Sequence, residues 1–307
     1  MEIIIGDFID NPEVRPKLDA GLQQGVMDLA SMAGLRIETL RRVVVPDNFG
    51  ASVLEFQELH GLIERGHTEW GESEAVGKTM YYIDSGELCQ EIFIEKNLFG
   101  LLFVPEGDEH QMACHLVQHE LAHVDDYHNK WEMLGAVGPP NCSESVEDRF
   151  ALFSDIAWSE YYANRKTSCT ASRLDTESIM GTLADLIYKV PIEVKGYIDE
   201  WQRHHDIDRL LKETDSIVSL LFRFMASLIG FRHGLGLDES PEREWVIEAG
   251  LERAHEQMEA SLTRLFSEYP HWKGFGYDQL GTALHSIFKA FGLSFEDREE
   301  GVWVNVL

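Results

Sequence analysis

The stretch HLVQHELAH, residues 115–123, carries three histidines at a spacing of four and a glutamate beside the second. Residues four apart lie one turn above each other on a helix, so His119 and His123 can both aim an imidazole at one ion. Glu120 follows His119 by one position, about 100° round the helix. That places it beside the ion, as a general base for a water rather than as a ligand. A catalytic zinc takes three protein ligands and keeps one position open. Glu160, in WSEYYANR on the next predicted helix, supplies the third donor. One carboxylate among the three leaves the ion net positive, which lowers the pKa of water. The expected cofactor is therefore one Zn2+ per chain on His119, His123 and Glu160, with Glu120 as the catalytic residue. The competing reading is an ordinary polar helix face, because HExxH also arises by chance.

The elements that must position these residues follow from periodicity. Residues 11–33 have helical spacing (Val14, Leu18, Leu22, Val26, Leu29, Met32) with Gly34 as a stop. LRRVVVP reads as a strand closed by Pro46, and FGASVLEFQELHGLIERG as an amphipathic helix ending near Gly66. Residues 67–77 are polar and contain glycine. KTMYYID and EIFIEKN read as strands paired around the turn DSGE, with FGLLFVP as a third. From Glu109 to Lys130 the period is helical, which puts the opening motif inside a helix of several turns. LGAVGPPNCSES is a loop that ends that helix and caps the next, Val146 to about Thr167. Beyond residue 173 nearly every segment has helical period, with a helix starting at Pro191, and LSFEDREEGVWVNVL closes as a short hairpin. The expected architecture is α+β and predominantly helical, with a small sheet packed on the motif helix in residues 1–170 and an α-helical domain in 171–307.

HELAH followed by E-x-x-A-N (Glu160, Ala163, Asn164) resembles the gluzincin class of zinc metallopeptidases, which are zincin-like in fold. The resemblance implies that Glu160 is a helix-borne zinc ligand and that Asn164 orients a zinc-bound imidazole. The E-x-x-A-N form is also similar to bacterial peptidases of the ImmA/IrrE kind. Their methionine-proline segment is absent here, where RKTSCTAS stands. The similarity covers roughly residues 75–167. It implies amide hydrolysis of a peptide or protein substrate, with Glu120 taking the proton of the attacking water and passing it to the leaving amine. The metzincin pattern fails, because Asp126 and Asn129 stand where it needs a glycine and a histidine.

Residues around the motif have two readings each. Asp126 and its neighbour Asp125 are acceptors for an imidazole N–H or an acidic helix end facing water. His115, on the same face as His119, contacts substrate or is a satisfied, partly buried histidine. Tyr161 and Tyr162 flank Glu160 as substrate or oxyanion contacts, or are ordinarily buried; Tyr127, His233, His271 and His285 are further options. E-x-x-H occurs twice, at Glu120/His123 and Glu252/His255, which leaves a ferritin-like di-iron protein, using Glu55 or Glu58, as an alternative. HHD at 204–206 reads as a solvated helix face.

With 54 acidic against 26 basic residues the formal net charge is −28, which repels phosphate backbones and anionic lipid. The expected partners are peptide substrates, basic ones favoured by charge, and neither nucleic acid nor membrane. The start MEIIIGDFIDNPEV has no basic segment and no small-residue cleavage site, so no signal peptide is expected. No window reaches the ~18 uninterrupted apolar residues of a spanning helix. Cys89, Cys114, Cys142 and Cys169 form no C-x-x-C pair and read as free thiols of a reducing cytoplasm. The main competing function is a non-catalytic interaction protein on a peptidase scaffold, with the acidic helical half as its working surface.

Overall fold

The computed structural model describes residues 1–9, 11, 13–62, 69–70, 73–74, 76–140 and 144–307. Helix accounts for 64% of the chain beside a small mixed sheet, so the chain is α+β and predominantly helical, as the periodicities imply. It forms two compact units, Met1–Trp131 with Cys169–Leu174, and Glu132–Ser168 with Asp175–Leu307. The sequence line near residue 170 rests on a change of pattern, whereas these units interleave along the chain.

In chain order the elements are β1 (Glu2–Ile5), α1 (Arg15–Ala33), β2 (Leu40–Val45), α2 (Phe49–Leu59), β3 (Glu69–Trp70), β4 (Ser73–Glu74), β5 (Gly77–Asp84), β6 (Glu87–Ile94), α3 (Lys96–Leu101), α4 (Asp108–Leu134), α5 (Val146–Thr167), α6 (Arg173–His204), α7 (Ile207–Leu235), α8 (Arg243–Glu248), α9 (Glu252–Glu268), α10 (Asp278–Ala290), β7 (Leu293–Arg298) and β8 (Gly301–Val306).

The first unit is built on a sheet in the order β1-β2-β6-β5. β1, β2 and β6 run parallel, and β5 is an antiparallel edge strand on β6. β6 is buried along nearly its whole length, which explains a run with little alternation. Of its polar members, Gln90 donates from Nε2 to Val124 O at 3.0 Å and Glu91 pairs with Arg42 at 2.6 Å. The β5–β6 hairpin turns at Ser85 and Gly86, whose φ values of 51° and 86° fit the turn that matches strand twist. β5 alternates faces. Met80 and Tyr82 pack with Phe49, Val53 and Phe56 of α2 and with Phe93, while Thr79 and Tyr81 meet Glu120 and Tyr127 of α4.

The apolar run near the N-terminus, to which the sequence pattern assigns no element, is β1, a short parallel edge strand. Two local expectations are corrected. FGLLFVP forms no strand; the Glu95 carboxylate accepts from the Asn97 and Leu98 N–H groups and starts α3 instead. α2 stops at Leu59, capped at His60, with Gly61 at φ 63° following; Gly66 lies outside the described residues.

The second unit is helical apart from the β7–β8 hairpin, which pairs from Leu293↔Val306 to Arg298↔Gly301 as expected. α5 starts at Ser145 with a reciprocal cap to Asp148 and packs on α7. Two glycines allow the close approach: a Cβ on Gly230 would stand 2.5 Å from Tyr161 O, and one on Gly234 2.4 Å from Arg165 O. Pro191 does not start a helix but lies inside α6, which runs unbroken to His204. HHD is then the exposed turn between α6 and α7, where Asp206 caps α7 by accepting from Arg209 N at 3.0 Å. Among the described residues α7 alone is long and apolar enough to cross a membrane by composition. Of its most apolar window, 61% is buried inside the fold.

Candidate metal centre

α4 carries the motif, and buried polar groups hold the helix in place within the first unit. Gln118, fully buried, donates from Nε2 to Leu29 O of α1 at 2.8 Å. Val124 O accepts from Gln90 of β6, and Asp125 Oδ1 accepts from Arg36 N at 3.1 Å. Each bond costs its full desolvation penalty if broken, so the three together fix the rotation of α4.

The helix spacing does what the sequence implies for the histidine pair. His119 Nε2 and His123 Nε2 lie 3.0 Å apart, with their rings at 86°. Two neutral imidazole nitrogens this close either share one proton or converge on a cation. Tetrahedral zinc with Zn–N near 2.0–2.1 Å would set them about 3.3–3.4 Å apart, so only a small adjustment separates the pair from a ligand geometry. Glu160 joins them: His119, His123 and Glu160 each offer a ligand atom within 4.8 Å of the others, a group that could hold a metal ion. All three side chains are half-buried. Two imidazoles and one carboxylate form the donor set that suits a catalytic zinc.

Glu120 is held from the sheet side. The Thr79 hydroxyl lies 2.8 Å from Glu120 Oε2 and 2.9 Å from the Glu120 carbonyl oxygen. Gly77, two residues earlier on the same face of β5, leaves the room: a Cβ there would stand 3.0 Å from Glu120 Cγ and Oε1. Thr79 escaped the sequence reading, because nothing in an alternating strand tells which threonine will face a helix 41 residues away.

Within the second unit Glu160 Oε1 lies 3.5 Å from Arg223 Nε of α7, and Asn164 Nδ2 donates to Glu160 O at 2.8 Å. Arg223 was also missed, though it is the one charge inside the apolar run SIVSLLFRFMASLIGF. Tyr161 and Tyr162 are buried among Trp158, Phe266 and Tyr269. The Tyr161 hydroxyl meets His233 Nδ1 at 2.9 Å and also receives Arg165. Burial raises its pKa above the ordinary phenol value. Both tyrosines are buried, as in the ordinary alternative. His233 passes the chain on to Glu259 Oε1 at 3.0 Å, which Arg232 also meets at 2.7 Å. The hydrogen bond from His233, then Arg232, holds Glu259 down to about 2 against the opposing effect of burial.

His115 is buried, with Nδ1 3.3 Å from the Thr170 hydroxyl, so of its two readings the packed histidine fits. Asp125 and Asp126 do not face water. Both are buried, Asp126 pairing with Lys130 at 2.8 Å, and neither side chain of that pair is exposed. His255 bonds Glu242 Oε1 at 3.0 Å in the second unit, which absorbs the second E-x-x-H histidine. His285 accepts from Phe295 N, and Tyr127 stacks beside His123. Cys89, Cys114 and Cys169 are free thiols; Cys142 lies outside the described residues.

Comparison with family models, with curated proteins and with solved structures returns no match to this chain.

Proposed function

We propose that this chain is a zinc-dependent, zincin-like peptidase of the gluzincin kind. The observation that carries the reading is the Glu120 carboxylate, anchored by Thr79 next to two imidazole nitrogens 3.0 Å apart. A polar helix face would not need a threonine from another element to orient its glutamate. Zinc on His119, His123 and Glu160 would polarise a scissile carbonyl and acidify a water. The chain's own residues do the rest. Glu120 takes the proton of the attacking water and hands it to the leaving nitrogen, and the Thr79 hydroxyl, 2.8 Å from Oε2, orients the carboxylate. His119 and His123 must be neutral to serve as ligands, so metal binding is lost on acidification.

An extended peptide fits the sheet edge. β5 has a single strand neighbour, β6, among the described residues, and its Glu120-facing residues Gly77 and Thr79 lie on that edge strand. A substrate backbone that adds to β5 would run past the catalytic carboxylate. The net charge of −28 favours basic peptides over acidic ones at long range.

The test is elemental analysis of purified wild-type and Glu160→Ala protein, with protein concentration measured on the same samples, followed by turnover of a peptide library. About one zinc per wild-type chain, lost or strongly weakened in a folded Glu160→Ala chain, and turnover abolished in Glu120→Gln with zinc retained, are the expected results. Full zinc and full turnover in His123→Ala would sink the assignment. Stoichiometric zinc without turnover of any peptide would leave the interaction protein as the better reading.

A further inference from the structure

The first unit contains an apolar cleft of about 270 Å³ that joins α1, α4 and the segment after α3. Leu22, Val26 and Leu29 of α1, Val117 of α4 and Phe103 line it. On the α1 side part of the wall is bare backbone. Gly21 and Gly25, one helical turn apart, both line the cleft, and a Cβ on either would meet no atom within 4 Å. Phe103, half exposed, packs edge-on against Phe99 with ring centroids 5.0 Å apart.

The same cleft carries a nucleophile and a base. Cys114 and His110, four residues apart on α4, both line it, with Cys114 Sγ 3.5 Å from His110 Nε2. The other ring nitrogen settles the direction of that contact. His110 Nδ1 lies 3.3 Å from Leu101 O. A carbonyl oxygen only accepts, so in the neutral ring the proton sits on Nδ1 and the lone pair of Nε2 faces the thiol. A thiol, a base within reach and a third group that orients the base are the parts of an activated nucleophile. A cysteine that only packs as a small hydrophobe needs neither the base nor the open space. Burial pushes the Cys114 thiol above its ordinary range, so it rests as S–H and yields its proton to His110 as it attacks.

The lining decides what is attacked. Its one carboxylate is Asp28, which accepts from Gln24 Nε2 at 2.8 Å. Asp28 and the net charge of −28 disfavour an anionic chain such as a free fatty carboxylate, and leave an uncharged one. We propose that Cys114 accepts the acyl group of an apolar thioester, whose chain lies in the cleft along Gly21 and Gly25. Sγ bonds to the carbonyl carbon as the bond from that carbon to the donor's sulfur breaks. His110 Nε2 takes the Sγ proton and returns it to the departing thiolate, so the exchange needs no oxidant or reductant. Burial of the chain makes transfer sensitive to its length.

Incubation of the full chain with the octanoyl and acetyl thioesters of N-acetylcysteamine, both uncharged, tests the site by intact mass and peptide mapping. Cys169, an exposed thiol of the same chain, is the internal comparison. The expected result is octanoyl transfer to Cys114 and not to Cys169, faster than acetyl transfer by about tenfold or more. His110→Gln should slow octanoyl transfer by about tenfold or more. In the double variant Gly21→Ala/Gly25→Ala the added Cβ atoms touch nothing and alanine suits a helix better than glycine, so the fold is kept. That variant should retain the reactivity of Cys114 toward iodoacetamide and lose most of the preference for octanoyl over acetyl. An unacylated Cys114, a Cys169 acylated as fast as Cys114, or equal octanoyl and acetyl rates overturn the proposal. Saturable binding of octanol without acyl transfer also overturns it and makes the cleft a site for a neutral apolar ligand.

Discussion

At the scale of single residues, the bond from Thr79 to Glu120 is where the proposed peptidase function can be tested apart from metal binding. Thr79→Val keeps the shape of the side chain and removes the hydroxyl that lies 2.8 Å from Oε2. The proposed zinc ligands are untouched, so metal content should equal that of wild type while kcat falls by about tenfold or more, part of the 10²–10⁴ that a positioned base contributes. A wild-type kcat in zinc-loaded Thr79→Val would show that the carboxylate needs no anchor. Arg223 makes a second, opposite case. Its guanidinium lies 3.5 Å from Glu160 Oε1, where it competes with a cation for the same oxygen. Arg223→Gln should shift the zinc dissociation constant by several-fold while Arg223→Lys stays close to wild type; unchanged affinity in Arg223→Gln would make the contact incidental. Both residues show why part of the site stayed hidden in the sequence. His119, Glu120 and His123 are legible because helix geometry makes their spacing meaningful, whereas Thr79 and Arg223 reach the site through packing between elements that no local pattern encodes.

At the scale of elements, legibility follows the source of each signal. α4, α5, the β5–β6 hairpin and the β7–β8 hairpin carry their own period, cap or turn residues, so they stand where the pattern puts them. The misread segments are those at Glu95, whose carboxylate caps α3 against the strand-like pattern, and at Pro191, where the helical pattern carries α6 through the proline. The tight pairing of α5 with α7 was invisible because Gly230 and Gly234 read as weak helix formers, not as contact points. It can be tested by adding one carbon. Gly230→Ala places a Cβ 2.5 Å from Tyr161 O, which the helices must separate to admit, at a cost of about 1–3 kcal/mol and a lowered Tm. Gly196→Ala on α6 is the control, since nothing lies within 4 Å of its Cβ; there helix propensity alone should stabilise by roughly 0.5–1 kcal/mol. Equal melting behaviour of the two variants would mean that the glycines of α7 do not set the packing.

At the scale of the whole molecule, acid stability sets opposing groups against each other. Glu147, Asp215 and Glu91 have raised pKa values, the first chiefly from Asp278 and the other two from burial. The folded state binds their protons more readily than the unfolded chain does, so stability rises as pH falls through their range. A net charge of −28 adds to this, since protonation relieves repulsion within the compact state. Glu259 runs the other way. Its pKa is lowered from 4.5 to about 2, so its contribution is complete above pH 4.5 and is lost as pH falls through 2. Glu242, lowered by His255 against burial, acts in the same direction. Thermal melts of chelator-treated protein should therefore show Tm rising on acidification from pH 7 toward about 5, then falling steeply below 4.5. Chelation keeps any release of metal on acidification out of the curve. Glu259→Gln is the decisive variant: it should lower Tm at pH 7 and flatten the fall below 4.5, while the rise from pH 7 toward 5 stays. An acid limb as steep as that of wild type would mean that other carboxylates govern acid unfolding and that the His233–Glu259–Arg232 contacts contribute little to stability.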